Sequence, residues 1–129
     1  MRLANRGQTI GRVDVSEPAS ISSGIAERYA TAIFGISKES KSLAKLETNL
    51  NDLAQALDDS ADLRALISSP VVTRDEQGAV MAAIGKKMKL VPEMQNGLGL
   101  MAEKRRLFVL PQLVAQLRAM IAEDKGEVS

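Results

Sequence analysis

Two pairs of adjacent carboxylates, Asp58-Asp59 and Asp75-Glu76, are the side chains best equipped for acid-base chemistry. Such chemistry needs two groups converging on one substrate. Neighbours on a helix point in different directions, and both pairs fall at expected helix boundaries, where acids cap backbone N–H groups or oppose the helix dipole. The chain has no His and no Cys. That removes the commonest general base, thiolate nucleophiles and the usual metal ligands. Gly97-Leu98-Gly99 has no strand before it and no Lys-Ser or Lys-Thr after it, so it supports neither a phosphate loop nor a dinucleotide turn. Lys86-Lys87-Met88-Lys89 and Lys104-Arg105-Arg106 are short basic runs without interleaved aromatics. They read as helix C-termini rather than a nucleic-acid surface. A net charge of +1, from 17 basic and 16 acidic residues, supplies no global field toward nucleic acid or an anionic bilayer. No catalytic residue, metal site or cofactor is expected.

The elements that carry these residues are helical. Of 129 residues, 45% are hydrophobic and 26% charged, but only 2% are aromatic, so the core is aliphatic and the composition favours helix over strand. The length suits one domain, and no apolar run approaches a membrane span. The opening MRLANRGQTIGRVD carries Arg2, Arg6 and Arg12 with no acid before Asp14. Residues 1–20 are accordingly expected to form a disordered leader or extension.

Helical periodicity begins after SEPASISS, which supplies Pro18 and several potential N-caps. A first helix is expected from Gly24 to Ser37, and a second carries Leu43, Leu46, Leu50, Leu53 and Leu57 on one stripe. Ser60 should cap a short third helix that Pro70 ends. Thr73 and Glu76 have capping-box spacing before a fourth, with Val80, Met81, Ile84 and Met88 inward. Pro92 opens a fifth helix with Met94, Leu98 and Met101 inward, and Pro111 a sixth with Leu113, Val114, Leu117, Met120 and Ile121 inward, ended by Gly126. Gly97 and Gly99 interrupt the fifth helix at about 1 kcal/mol each; they admit either a core helix at close range or a helix from a partner. The result is an all-α bundle of five or six helices, with antiparallel neighbours because the connections are short.

The first helix is greasy on two sides. Ile25, Tyr29, Ala32, Ile33 and Ile36 make one stripe, Ala26, Ala30 and Phe34 an adjoining one, and only Glu27, Arg28 and Thr31 clearly favour water. So wide an arc fits burial in the bundle centre. It fits equally a helix that packs inward along one edge and offers the other, floored by Ala32, to an amphipathic helix of another protein.

Three motifs in order, IAERYATAIF, LRALISSPVVTRDE and LMAEKRRLFVLPQL, resemble the N-terminal domain of the delta subunit of bacterial F-type ATP synthase, whose mitochondrial relative is the oligomycin-sensitivity-conferring protein. The likeness spans about Ile21 to Val128. The family's Ala-Glu-Asn-Gly-Arg-Leu stands here as Ala102, Glu103, Lys104, Arg105, Arg106 and Leu107; the missing glycine bears on the tight turn at that point. The resemblance implies a compact six-helix bundle over residues 21–125 and a non-catalytic stator of the proton-translocating synthase. Its first and fifth helices would clasp the amphipathic N-terminal helix of an alpha subunit, through Ile25, Tyr29, Ala32 and Ile33 on one side and Leu98, Met101 and Ala102 on the other. Arg106 would pair with an acid on the incoming helix or stay structural. It further implies that residues 126–129 start a missing C-terminal domain reaching the peripheral-stalk b subunits. The location implied is the cytoplasmic side of the bacterial inner membrane, touching it only through the complex, with the mitochondrial matrix face as second choice. No cofactor and no nucleic acid enter. The alternative is a helical adaptor unrelated to the synthase that binds some other partner helix.

Overall fold

The computed structural model describes residues 13–126. Among them six α-helices follow in order: α1 Val13–Glu39, α2 Leu43–Asp59, α3 Ala61–Ser68, α4 Arg74–Met88, α5 Pro92–Glu103 and α6 Leu110–Asp124, with a 3-10 turn Leu107–Val109 before α6. No strand occurs among these residues. Residues 1–12 of the expected leader and residues 127–129 lie outside the described region. α1 begins upstream of the expected Gly24, so the serines read as N-caps stand inside the helix. Serine costs only a few tenths of a kcal/mol in a helix interior, too little to stop one that continues.

Side-chain contacts give the helix directions. Gly78 approaches Ala102 and Gly85 approaches Gln95, so α4 and α5 are antiparallel. Gly97 approaches Ile33 and Ser37 bonds Glu93, so α5 runs opposite to α1. Ser23 meets Gln116 and Lys38 meets Asp124, so α1 and α6 run the same way. The five long helices alternate in direction, and the two-turn α3 bridges α2 to α4. The largest interfaces are α1 on α6 and α4 on α5.

The core is aliphatic, built from Leu46, Leu50, Leu53 and Leu57 of α2, Met94, Leu98 and Met101 of α5, and Leu113, Leu117 and Ile121 of α6. Leu43, at the start of the α2 stripe, is only half-buried, as are Ile84 and Met88. Val80 was expected inward and is exposed. α4 turns Gln77, Met81 and Gly85 to the interior instead, a four-residue repeat that leaves position 80 on its flank. Gln77 is buried with its Nε2 donating to the Leu66 carbonyl at 2.9 Å, which also accepts from the Ser69 N–H at 3.4 Å, while the Gln77 Oε1 has no partner among the described residues. Buried Asn49 likewise accepts from the Val91 N–H at 2.9 Å and fastens α2 to the α4–α5 connection.

Capping follows the sequence at α3 and α4. The Ser60 hydroxyl accepts from Leu63 N–H at 3.0 Å. Thr73 and Glu76 bond reciprocally, at 3.1 and 2.9 Å, as a capping box. The carboxyl of exposed Glu76 is held below its ordinary pKa by the Thr73 backbone N–H and hydroxyl.

The C-termini are less conventional. α1, α4 and α5 each end in a Schellman turn whose left-handed position carries a basic residue, Lys41 at φ 60, Lys89 at φ 55 and Arg105 at φ 59. In each, the following N–H reaches back into the last helical turn: Ser42 to Ser37, Leu90 to Gly85 and Arg106 to Met101. Glycine normally takes this position because a Cβ there is strained by roughly 1–2 kcal/mol. The tight turn after α5 therefore survives without its glycine. Arg105 offsets the strain by donating its guanidinium to the carbonyls of Val72 and of Pro70, the latter at 3.0 Å.

This difference is testable by thermal melting. Lys89→Gly relieves strain and is expected to raise stability by about 1 kcal/mol, or roughly 4 °C in Tm. Arg105→Gly gains the same relief but loses two carbonyl contacts worth about 1 kcal/mol each, so its Tm should not rise and is expected to fall.

Candidate functional site

α1 divides its apolar surface between two environments. Ala26, Ala30, Ile33 and Ser37, spaced by four, three and four, are buried against the bundle. Along the adjoining flank Ile25 and Tyr29 are half-buried, Ala32 is exposed, and Ile21 and Ile36 keep 64% and 51% of their surface in solvent. The wide arc is therefore not consumed by the bundle centre.

α5 lies beside this flank in a definite register. A Cβ on Gly97 would stand 3.0 Å from Ile33 Cδ1, so the tip of Ile33 seats closely against α5 at this point. One turn earlier on α5, the Glu93 carboxylate accepts from the Ser37 hydroxyl at 2.5 Å and the Ser42 hydroxyl at 3.0 Å. The antiparallel register continues toward Leu100 at the level of Tyr29, and Leu100 is 42% exposed. Gly99 has nothing within 4 Å of a notional Cβ and opens on the α4 side, near Arg74 and Gly78.

These positions sort the residues named from the sequence. Ile25, Tyr29 and Ala32 lie on the open flank. Ile33, Leu98, Met101 and Ala102 are buried, Leu98 to 1% exposure. The physical reason is helical phase: positions 94, 98, 101 and 102 form the stripe of α5 that completes the core, and a stripe fully covered by its own bundle cannot also line an open groove. They form the floor behind the surface. Its exposed apolar members are Ile21, Ala32, Ile36 and Leu100. Leu100 was legible as a large apolar residue off the inward stripe of α5. Arg106 is half-buried; its backbone N–H donates to Met101 at 2.7 Å, and its side chain makes no hydrogen bond or ion pair among the described residues.

Glu93 escaped sequence reading because its hydroxyl partners lie 56 and 51 residues away. Burial pushes its carboxyl pKa up, but hydrogen bonds from Ser37, its own backbone N–H and Ser42 together outweigh that and leave it below the ordinary value. The other carboxylate pairs are structural in position. Asp58 and Asp59 close α2, with Asp59 accepting from Gln55 at 2.9 Å, and Asp75 and Glu76 occupy the first turn of α4. Lys86 and Lys87 fall in the last turn of α4 and Lys104 caps α5.

Fold and surface define an all-α bundle with an apolar face left open across two helices. Comparison with known proteins gives the family: residues 25–129 match the family model described as ATP synthase delta (OSCP) subunit, and the chain belongs to that family. It is 61% identical over 115 residues, 89% of this chain and 62% of the relative, to ATP synthase subunit delta of Ruegeria sp. (strain TM1040). Over the same span and shares it is 59% identical to the protein of that name from Dinoroseobacter shibae (strain DSM 16493 / NCIMB 14021 / DFL 12), and 56% to that from Rhodobacter capsulatus. The chain thus spans about three fifths of the length of these relatives. The family is a structural, non-catalytic subunit class of ATP synthase, and membership sets aside the reading as an unrelated adaptor. Among the described residues no helix is long and apolar enough to cross a membrane.

The Glu93 clamp makes a prediction about acid. Because the folded state binds this proton less readily than the unfolded chain, its stabilisation is complete above the ordinary glutamate pKa and is lost as pH falls through the lowered folded value. Glu93→Ala leaves the buried Ser37 hydroxyl without its acceptor and is expected to cost about 1–3 kcal/mol at neutral pH. Urea denaturation at neutral and acid pH should show the wild-type–variant gap narrowing in acid.

Proposed function

We propose that the chain supplies the part of an ATP synthase delta subunit that grips the catalytic head, holding the amphipathic N-terminal helix of an alpha subunit between α1 and α5. The reading rests on one observation: beside exposed Leu100, the flank of α1 keeps Ala32 and Ile36 exposed and Ile25 and Tyr29 only half-buried, although the same helix buries Ala26, Ala30 and Ile33 within the bundle. An incoming helix would seat its apolar face on small Ala32, with Ile36 and Leu100 as walls. Covering roughly 400 Å² of apolar surface at about 25 cal/mol per Å² contributes about 10 kcal/mol gross, before the cost of ordering the incoming segment. Arg106, half-buried and without a side-chain partner among the described residues, stands ready for an acid on that helix.

In this role the domain does no chemistry. It resists the torque that the rotor puts on the head, so affinity and rigidity are its output. Contact with the stalk b subunits falls to the part of the relatives beyond the span matched here, and the assembly places the protein on the cytoplasmic side of the bacterial inner membrane. Its contact with the membrane is indirect.

A synthetic peptide of the alpha-subunit N-terminus, titrated calorimetrically, is expected to bind the wild type. Ala32→Asp, an exposed change that places a charge in the groove, is expected to abolish binding while leaving helical circular dichroism and Tm unchanged. Leu100→Asp should act in the same direction. Binding undiminished in both variants would refute the groove.

A further inference from the structure

Asn96 is followed by Gly97, and no other asparagine of the chain precedes a glycine. Asn-Gly is the dipeptide that loses its amide most readily without an enzyme. The backbone nitrogen of the second residue attacks the asparagine side-chain carbonyl, and any side chain larger than hydrogen on that residue obstructs the approach. Asn5, Asn49 and Asn51 stand before Arg6, Leu50 and Asp52. Asn96 is exposed, and its side chain makes no hydrogen bond or ion pair among the described residues. Only the backbone restrains it.

That restraint is strong. Both residues lie inside α5, and helical backbone, with ψ at about −42°, points the Gly97 N–H along the axis to a carbonyl one turn back, out of line with the Asn96 side-chain carbon. Freeing the nitrogen requires α5 to unwind between Met94 and Leu98, which are 0% and 1% exposed. Just ahead of them, Glu93 is tied to Ser37 and Ser42. The amide is thus open to water yet protected by the packing of its neighbours, and it becomes reactive only when α5 leaves the core.

We propose that Asn96-Gly97 is a spontaneous modification site that turns an opening of α5 into permanent loss of its packing. In the open chain a bond forms from the Gly97 nitrogen to Asn96 Cγ, the Cγ–Nδ2 bond breaks, and ammonia leaves with the proton that the Gly97 nitrogen gives up. Water then opens the five-membered ring, and no electrons change hands. Attack at the side-chain carbonyl gives Asp at position 96, which adds an exposed charge and little else. Attack at the backbone carbonyl gives isoaspartate, whose main chain runs through the former side chain and is one methylene longer. Every residue after it is then out of phase: Leu98, Met101 and Ala102 lose their places on the inward stripe, and Gly97 no longer lies opposite Ile33. The glycine on which Ile33 seats is therefore also what makes the preceding amide labile.

The test incubates the full chain at neutral pH and follows the tryptic segment 90–104 by mass spectrometry, in which deamidation appears as a one-dalton gain and fragmentation separates isoaspartate from Asp. In guanidinium chloride Asn96 is expected to convert well ahead of Asn5, Asn49 and Asn51. Gly97→Ala, which needs no fold under those conditions, should nearly stop conversion over the same period. In native buffer the wild type should convert far more slowly, and because the chemistry is slow against opening and closing, its rate follows the open population. Glu93→Ala is then expected to speed native conversion about 5- to 150-fold and to change nothing in guanidinium chloride. The isoaspartate form, purified and returned to native buffer, should melt without cooperativity, whereas Asn96→Asp melts close to the wild type. The proposal falls if Asn96 converts no faster than the other asparagines in the denatured chain, if native and denatured rates agree, if Glu93→Ala leaves the native rate unchanged, or if the isoaspartate form melts as the wild type does.

Discussion

The closeness of α1 to α5 at Gly97 is the constraint on which the rest of the surface depends. With only hydrogen at that position the tip of Ile33 seats closely on α5, while α1 buries Ala26, Ala30, Ile33 and Ser37 against the bundle, packed mainly on α6. A helix held by so narrow and small-residued a line buries one edge and shows the other. Hence Ala32 and Ile36 stand in solvent although they belong to the same apolar arc. The Ser37–Glu93–Ser42 cluster fixes the sliding register of the two helices, so the open face has a defined shape.

Stiffness has a second source in the helix ends. Lys41, Lys89 and Arg105 hold left-handed conformations that glycine would adopt without strain. At Lys41 and Lys89 the side chain sets a positive charge beside C-terminal carbonyls at a cost in backbone strain. Arg105 goes further and ties the end of α5 to the α3–α4 connection through Pro70 and Val72. One residue thus bridges two loops at the end of the bundle, suiting a module whose proposed task is to carry load without deforming.

How much was legible varies by kind of interaction. The helix count, the Thr73–Glu76 capping box, the Ser60 cap and the prolines opening α5 and α6 could be read because each depends on residues within a few positions of one another. The family likeness was legible for the same reason: its motifs are short contiguous runs. The phase of α4 was not, since Val80 and Gln77 are both compatible with a helix and the Leu66 carbonyl that receives the glutamine belongs to another helix, 11 residues away. The Glu93 clamp was hidden by sequence distance.

For the candidate site, the sequence by itself determined that α1 carries more apolar surface than one interface needs, because that follows from periodicity within a single helix. It could not determine which residues remain open. Leu98 and Met101 read as inward from the stripe of α5 and are covered, as is Ala102, but on α1 nothing in the pattern separates covered Ile33 from half-buried Ile25 and Tyr29 and exposed Ala32. Tertiary structure made the choice, because the angle at which one helix meets another is set by side chains on both, and a few tens of degrees of rotation exchange core for surface.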